Sequence, residues 1–279
     1  MQETNIINGR KMRDAILADL KLEVAELSFQ PCFVDVLVGS DGPSAQYVGM
    51  KNRIAESIGI KTVHAAYPEN ISTDDLILEI EKLSKLPHMC GLIVQLPLPA
   101  SIDTKKVLDA IPPHIDVDAT GEENSLLFYE GKYRFLFPTA AAIIEILDST
   151  GVALNGKKIV VIGQGKLVGT PVTFLLKSRG LHVETVVKET INKDEIIKNA
   201  DVIITAVGKA KLIMGEMIKK GVIIIDAGTS ESKGGIAGDV DFETVNCIAG
   251  YLSPVPGGVG PMTVAVLMKN VVLSAKRIT

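Results

Sequence analysis

The chain is 279 residues long, enough for two domains of ordinary size whose cores need no disulfide or metal to hold them. Hydrophobic residues make up 47%, aromatic residues 4%, and Trp is absent, which indicates an aliphatic α/β interior. The net charge of -4 at pH 7 provides no basic surface, so the sequence predicts no nucleic-acid partner.

The cysteines and the N-terminal residues both bear on the compartment in which the protein is expected. Cys32, Cys90 and Cys247 lie far apart without a CxxC pair, which predicts reduced thiols and neither a metal site nor a disulfide framework. The segment Met1–Thr4 lacks the basic and apolar regions of a signal peptide, and no run of ~18 apolar residues follows. We therefore expect a cytoplasmic protein with no membrane segment.

Strand and helix patterns alternate through the N-terminal half. They predict a helix over 8–26, a strand over 32–38, a helix over 44–58, a strand over 61–66, a helix over 72–85, a strand over 90–94 and a helix near 105–111. Ser44 is the expected N-cap of the second helix, after the loop Gly39–Pro43 at the carboxyl end of a strand, where ligands usually bind in α/β sheets. Tyr47 and Lys51 share one face of that helix. The alternative is a solvated lysine beside a partly buried aromatic residue.

Two further polar positions follow the strand at 90–94. The prolines of Gln95-Leu96-Pro97-Leu98-Pro99 favour an extended exit that holds Gln95 at the strand end. Asp116 and Asp118 are two residues apart, so they face the same side in an extended chain, whereas a turn would separate them. A metal site there is the alternative, but the histidines are scattered along the chain, and we predict no metal.

The C-terminal half contains a candidate phosphate loop. The polar segment 121–134 is interpreted as a hinge between domains, and a helix is predicted over 139–147. After a strand at 159–162, Gly163 permits a tight turn, Gly165 lets the backbone approach a pyrophosphate, and Gly169 allows close packing of the next helix. Strands at 181–187, 201–206 and 222–227, separated by helical segments, complete a parallel doubly wound sheet.

The segment Ser253–Thr263 contains three prolines and three glycines and is not expected to be regular. Its glycines expose backbone for the close approach of a ligand; the alternative is a stiff crossing between domains. A final helix over 264–275 ends the predicted elements.

Five segments together resemble the bifunctional methylenetetrahydrofolate dehydrogenase/cyclohydrolase (FolD) family across essentially the whole chain. They are Ser40–Lys51 with its Tyr47-Val48-x-x-Lys51, Gly91–Pro99, Asp116-Val117-Asp118, Gly238–Phe242 and Pro254–Thr263. The resemblance implies an α/β protein of two domains, each with a mainly parallel sheet, and a homodimer. A folate-binding domain over 1–120 is completed by the helix at 264–279, a Rossmann-type NAD(P) domain covers 138–263, and the active site lies in the cleft between them.

The resemblance also implies activities and site residues. The activities are oxidation of 5,10-methylenetetrahydrofolate to the 5,10-methenyl form with NAD(P)+ and hydrolysis of that form to 10-formyltetrahydrofolate. Lys51 is the catalytic centre and Gln95 orients it, while Tyr47 stacks on folate and Asp118 holds the pterin. The remaining residues implied to bind substrate are Leu96, Pro97, Pro256, Gly257 and Gly258.

The dinucleotide side departs from the usual pattern of the family. The predicted cofactor-binding residues are Thr139, Gly163, Gln164, Gly165, Lys188 and Thr229. Gln164 replaces an arginine and Lys188 replaces a serine. Because the adenine ribose lies near the end of the second strand, a cation there favours NADP and an acid favours NAD. Lys188 therefore predicts NADP, with NAD as the alternative.

The chemistry sets conditions on Lys51. Hydride transfer requires no acid or base, whereas hydrolysis of the methenyl cation requires a base. Burial beside a cationic substrate and the neutral amide of Gln95 disfavours the ammonium form of Lys51, so the lysine can serve as that base. Three alternatives are a cyclohydrolase without dehydrogenase activity, a non-catalytic folate or nucleotide sensor, and a short-chain dehydrogenase. The last shares a Tyr-x-x-x-Lys pair and a glycine loop, but there the loop precedes the pair.

Overall fold

The structure, a computed structural model, describes residues 3–39, 42–232 and 235–278. Its strands are β1 Asn5–Ile6, β2 Cys32–Val38, β3 Lys61–Tyr67, β4 Met89–Val94, β5 Ile159–Ile162, β6 Val183–Val186, β7 Val202–Thr205, β8 Ile223–Asp226, β9 Ser230–Ser232, β10 Gly235–Ala237 and β11 Tyr251–Ser253. Its α-helices are α1 Gly9–Ala25, α2 Gly42–Ser57, α3 Thr73–Ser84, α4 Thr104–Asp109, α5 Glu122–Tyr129, α6 Pro138–Ser149, α7 Gly169–Ser178, α8 Lys193–Asn199, α9 Phe242–Val245 and α10 Val259–Ala275. A short 3-10 helix covers Gly215–Met217.

The chain divides into two compact units, each made of two segments. Met1–Asp14 and Phe137–Thr263 form one, here called the six-strand unit. Ala15–Leu136 and Val264–Thr279 form the other, called the three-strand unit.

The three-strand unit is built on a parallel sheet in the order β3-β2-β4. Its central strand β2 is buried along its whole length. One face of the sheet forms a core with α3 and α4 that includes Val34, Leu76 and Val107. Because side chains alternate along a strand, Phe33 and Asp35 face the opposite side.

Helix α5 overturns the interpretation of 121–134 as a hinge, which is wrong. The helix belongs to the three-strand unit, and its Asn124 and Phe128, four residues apart, are both buried. Asn124 Nδ2 donates to Pro113 O at 2.8 Å. One amide and one aromatic ring thus anchor a segment that begins with four polar residues, Glu122–Ser125.

The six-strand unit contains a sheet in the order β1-β11-β8-β7-β5-β6, in which all neighbouring strands are parallel. One face packs into a core with α8 and α9 that includes Ile197, Ile203 and Ile224. β9 and β10 form a separate antiparallel pair. The predicted fold class, α/β units with mainly parallel sheets and a Rossmann-type C-terminal part, is confirmed.

Three local features differ from the sequence predictions. Helix α2 begins at Gly42, so Ser44 lies inside the helix and is not its N-cap; positions 40 and 41 of the preceding loop lie outside the described residues. The segment Ser253–Thr263 is partly regular, contrary to expectation, because α10 begins at Val259. Pro261 lies in the first turn, where proline removes no intrahelical hydrogen bond.

The third difference concerns the unit boundary near the N-terminus. Residues 1–14 group with the six-strand unit, because Asn5 and Ile6 of β1 pair with β11. The last helix groups with the three-strand unit from Val264 onward. Within that unit Asn270 Nδ2 donates to Val117 O at 2.7 Å and to Leu136 O at 2.9 Å.

Candidate active site and dinucleotide site

Lys51 is the centre of a buried polar cluster in the three-strand unit. It lies on α2 with its side chain only 4% exposed. Its Nζ lies 2.6 Å from Asp35 Oδ2 and donates to Gln95 Oε1 at 2.8 Å. Since a buried charge requires both an opposite charge and hydrogen bonds, these two partners account for the burial of the lysine.

Gln95 is held by the end of β4. Its N–H donates to Val36 O of β2 at 2.8 Å, which continues the sheet by one bond. Its Nε2 donates to Leu96 O at 3.0 Å, so the amide oxygen is directed to Lys51. The strand end therefore fixes Gln95 as expected, and the next peptide bond, Leu96-Pro97, is cis.

Tyr47 lies one helical turn before Lys51. Lys51 Nζ is 4.8 Å from the centroid of the Tyr47 ring, within cation–π range. Burial raises the pKa of Tyr47, and the nearby carboxylates of Asp118 and Asp35 raise it further. The phenol therefore stays neutral at physiological pH and offers a ring face and a hydroxyl group.

Asp118 belongs to this cluster, and Asp116 does not. Burial raises the pKa of Asp118 to about 6, while the charge of Lys51 opposes the shift. Asp116 is fully buried and accepts from Gly121 N and Asn124 Nδ2, both at 3.0 Å. Of the two arrangements considered, the turn is the one present: Asp116 holds the loop before α5 instead of facing a ligand beside Asp118.

Asp35 is the member of this cluster that sequence reasoning missed. It is fully buried on β2; burial raises its pKa, and Lys51, followed by His64, opposes that shift. A signal was present, because one carboxylate interrupts the apolar strand Cys32–Val38 and an aspartate is almost never fully buried unless it is paired. The neutral amide of Gln95 flanks Lys51 as expected, but a carboxylate that was not expected lies beside it as well.

Two further searches concern only the residues that the structure describes. Among 3–39, 42–232 and 235–278, no three His, Cys, Asp or Glu side chains are grouped so as to hold a metal ion. Over the same ranges, none of the helices combines the length and the apolar character needed to cross a bilayer.

The loop between β5 and α7 in the six-strand unit fits a pyrophosphate. Gly163 has a φ of +87°, a conformation that favours glycine. A Cβ at Gly169 would overlap the carbonyl oxygen of Gly163, whereas one at Gly165 would have no heavy atom within 4 Å. The turn is thus closed on its inner side and open at Gly165, whose carbonyl oxygen accepts from Thr170 N at the start of α7 at 3.1 Å.

A pocket of about 410 Å³ extends from this loop. Its lining is Ile162, Gly163, Val186, Val187, Lys188, Lys193, Asp194, Ile197, Val207, Lys209, Leu212, Ile213 and Met217. Apolar side chains and three lysines suit an adenine ring attached to phosphorylated ribose. Lys193 and Lys209 were not predicted. Lys193 begins α8, directly after the connection from β6 that contains Lys188. Lys209 follows β7 and comes near only because β7, β5 and β6 are neighbours in one parallel sheet.

Gln164 is not part of this lining. Its Nε2 donates to Gly163 O at 3.0 Å and to Thr173 Oγ1 at 3.2 Å. The side chain is therefore held within the loop and against α7.

Two family models match the chain. Residues 7–118 match the tetrahydrofolate dehydrogenase/cyclohydrolase catalytic domain. Residues 138–279 match the NAD(P)-binding domain of tetrahydrofolate dehydrogenase/cyclohydrolase. The chain belongs to the tetrahydrofolate dehydrogenase/cyclohydrolase family.

Individual members of the family match the chain along its length. The bifunctional protein FolD of Acetivibrio thermocellus is 39% identical, with 98% of each chain covered; that of Halothermothrix orenii is 41% identical, with 97% of this chain and 98% of the relative covered. FolD of Campylobacter jejuni matches with a TM-score of 0.94 and 34% identity, over 99% of this chain and 100% of that chain. FolD of Trypanosoma brucei, solved with NADP cofactor and an inhibitor, has a TM-score of 0.94 and 33% identity, over 100% and 99%.

These findings confirm the predicted function. As a member of the tetrahydrofolate dehydrogenase/cyclohydrolase family, the chain is a methylenetetrahydrofolate dehydrogenase and a methenyltetrahydrofolate cyclohydrolase, with a folate substrate and an NAD(P) cofactor. A cyclohydrolase without dehydrogenase activity and a non-catalytic sensor are not favoured. The family assignment also replaces the short-chain dehydrogenase alternative.

The other residues expected from the family lie in both units. In the three-strand unit, Leu96 is half-buried and Pro97 is exposed. In the six-strand unit, Thr139 Oγ1 accepts from Thr263 Oγ1 at 3.3 Å, and Thr229 is exposed after β8. Of the predicted substrate residues in that unit, Pro256 is exposed, Gly257 has a φ of +111°, and Gly258 is buried.

Proposed function

We propose that Lys51 is the base of the cyclohydrolase reaction and that Gln95 and Tyr47 orient it. The observation that carries this proposal is the buried Nζ of Lys51, which lies 2.8 Å from Gln95 Oε1 and 4.8 Å from the Tyr47 ring. Fixed partners on two sides hold the nitrogen in one place. A base positioned in this way accepts a proton from water at the moment water attacks.

The reaction sequence assigns each residue a task. A bound dinucleotide supplies the acceptor for the hydride that leaves the methylene carbon, and no acid or base is required for that step. Water then attacks the methenyl cation and loses a proton, for which Lys51 is the acceptor. Tyr47 presents a neutral ring on which the flat pterin stacks, in an arrangement like those that aromatic rings adopt with each other.

Asp118 is proposed as the residue that binds the pterin. Asp118 is half-buried, and burial raises its pKa, so donors on a ligand gain by replacing the missing water. Charge-assisted hydrogen bonds of this kind contribute roughly 1.5–3 kcal/mol each. Leu96, Pro97 and the segment Pro256–Gly258 complete the proposed substrate set.

We propose that NADP is the preferred dinucleotide. Lys188 follows β6 directly, where the adenine ribose is expected, and lines the same pocket as Lys193 and Lys209. Three lysines outnumber the one carboxylate of the lining, Asp194, which favours a 2′-phosphate over a bare ribose hydroxyl. Gly163 and Gly165 hold the pyrophosphate, with Gln164 supporting the loop and with Thr139 and Thr229 as further proposed contacts.

We also propose a homodimer in the cytoplasm. The dimer is supported by the resemblance of the chain to its family, and sedimentation equilibrium tests it directly. The cytoplasm is supported by Cys32 and Cys90, buried on neighbouring strands as free thiols, because thiols persist in reducing compartments.

The deciding experiment measures both reactions in wild type and in Lys51→Met. We expect the variant to lose cyclohydrolase turnover by a factor of at least ~10² and to keep NADP binding, since Lys51 belongs to the other unit. Hydrolysis near the wild-type rate in a folded Lys51→Met would overturn the assignment of the base. A wild-type protein that oxidises methylenetetrahydrofolate faster with NAD than with NADP would overturn the cofactor preference.

A further inference from the structure

The ion pair between Lys51 and Asp35 raises a chemical problem that the proposed function leaves open. Their atoms are 2.6 Å apart, and the two side chains are 4% and 0% exposed. A lysine that forms an ion pair is protonated, so it has no lone pair with which to accept a proton from water. The carboxylate that holds the lysine in place thus also opposes its action as a base.

We propose that Asp35 is a positioning residue that takes a proton from Lys51, so that the two side chains enter hydrolysis as a neutral acid and a neutral amine. This inference rests on the proposed role of Lys51. Oδ2 of the carboxylate lies 2.6 Å from Nζ, close enough to accept one of its protons. Rotation about the Cε–Nζ bond then presents the lone pair of the amine to the attacking water.

Protons and charge balance through the step. Water forms a bond to the cationic carbon, one water O–H bond breaks, and that proton goes to Lys51 Nζ. Before the step the substrate carries one positive charge and the pair none; after it the adduct is neutral and the pair carries one. The breaking C–N5 bond takes up a proton as the adduct hydroxyl loses one, and the pair releases its extra proton to solvent.

The advantage of this arrangement is that the site carries no net charge of its own when the cationic substrate binds. Changing the net charge of a buried site is costly because the surroundings have a low dielectric constant. A lone protonated lysine would add its positive charge to that of the substrate and oppose substrate binding. With Asp35 present, the pair contributes no net charge until the substrate has lost its own.

The titratable groups around Asp35 come from several elements. Among the residues that the structure describes, they are Lys51 and Tyr47 on α2, His64 on β3 and Asp118 in the loop between α4 and α5. The β4 residue in register with Asp35, Ile93, is uncharged. The α10 residue Val271, which a Cβ at Gly91 on β4 would meet, is also apolar. Lys51 is the cation in direct contact with Asp35.

The pH profile of cyclohydrolase kcat/KM in Asp35→Asn tests the proposal. In wild type the acid limb reports the second proton taken up by the pair, which occurs on a carboxylate. In Asp35→Asn it reports removal of the proton of Lys51 to solvent, and lysines lose protons at far higher pH than carboxylic acids. We expect the acid limb to move upward by about one pH unit or more and kcat/KM at pH 7 to fall about tenfold or more, with recovery as pH rises.

Controls distinguish proton exchange from loss of structure. Asp35→Glu retains a carboxylate, and its acid limb should stay nearer to that of wild type. Asp74→Asn removes an exposed carboxylate of α3 and should leave the profile unchanged. The dehydrogenase rate of Asp35→Asn should change less than its hydrolysis rate. An acid limb at the wild-type position in Asp35→Asn, or an equal loss of hydrolysis at every pH, would overturn the proposal.

A measurement on wild type covers the case in which Asp35→Asn does not fold. Infrared difference spectra upon binding of an uncleaved folate analogue should show the carbonyl stretch of a newly protonated buried carboxyl group. Absence of that band would overturn the proposal. A wild-type protein without cyclohydrolase activity would instead refute the proposed function, so the two failures are distinguishable.

Discussion

Removing the ammonium group of Lys51 should destabilise the three-strand unit. In Lys51→Met, Asp35 keeps its buried place on β2 but loses its ion-pair partner, and among the described residues neither carboxylate oxygen accepts a hydrogen bond of regular geometry. Removing one partner of a buried pair generally costs about 3–5 kcal/mol, because the remaining charge is uncompensated. For a unit of this size, we expect Tm to fall by on the order of 10 °C.

Two companion variants isolate the cause. Lys51→Met/Asp35→Val replaces both charges with apolar groups and should recover most of the lost stability, because such replacements of buried pairs are often neutral or stabilising. Lys82→Met removes the lysine of an exposed pair with Glu79 that has the same 2.6 Å separation. Its stability should remain near that of wild type, since exposed ion pairs contribute little.

The destabilisation of Lys51→Met should also depend on pH. Burial raises the folded pKa of Asp35, and removal of Lys51 deletes the largest opposing interaction. A carboxyl group whose folded pKa exceeds its unfolded value contributes stability that is complete below the unfolded pKa and is lost as pH rises through the folded value. Lys51→Met should therefore approach wild-type stability near about pH 4 and fall further behind as pH rises.

Urea unfolding of all four proteins at two pH values measures these differences. Equal stability of Lys51→Met and wild type at both would refute the view of Asp35 as an uncompensated charge. So would a double variant no more stable than Lys51→Met. Both Lys51 variants should lack cyclohydrolase turnover, so recovered stability without recovered turnover separates folding from catalysis.

Three further outcomes are expected. Wild-type folate affinity, measured by titration calorimetry, should weaken below about pH 6 as Asp118 protonates. Asp118→Asn should remove that pH dependence, and a variant whose folate affinity still weakens below about pH 6 would contradict the assignment of Asp118. Lys188→Ala should shift the NADP:NAD ratio of kcat/KM by about ten- to a hundredfold toward NAD, whereas Lys177→Ala, exposed on α7, should leave it unchanged. Gly169→Ala should lose about 1–3 kcal/mol of stability because its added Cβ overlaps the β5–α7 loop. Gly260→Ala, with no neighbour within 4 Å of its added Cβ, should keep its stability. Equal urea unfolding midpoints for the two variants would refute this reasoning.

Sequence patterns predicted the strands and helices whose bounds depend only on residues that are neighbours in the chain. β2 was predicted at its observed bounds, and α3 lies directly between Ser72 and Lys85, its two caps. Ser72 Oγ accepts from Asp75 N at 3.1 Å, a contact that depends only on neighbouring residues. For the same reason, Tyr47 and Lys51 were expected on one helix face.

Contacts between distant segments were not predictable in this way. The sequence places Asp35 on a strand but does not indicate its partner, because Lys51 lies sixteen positions later on a helix and only the fold brings the two side chains together. Lys209 joins Lys188 only through the order of strands in the sheet. In α5, the fold buries Asn124 and Phe128, and no spacing rule distinguishes so short a helix from a linker.

The interleaving of the two units along the chain has a consequence for biosynthesis. Thr4 Oγ1 donates to Ala249 O, 245 residues away, and β1 pairs with β11, so the six-strand sheet lacks its edge until nearly the whole chain has left the ribosome. The three-strand unit likewise receives its last helical segment, from Val264 onward, at the end. Multidomain proteins generally fold N-terminal domain first during synthesis, but here both units remain incomplete until the C-terminal residues have been synthesised. A stop codon before Tyr251 should therefore leave neither unit intact, and such a fragment should be retained by chaperones or degraded.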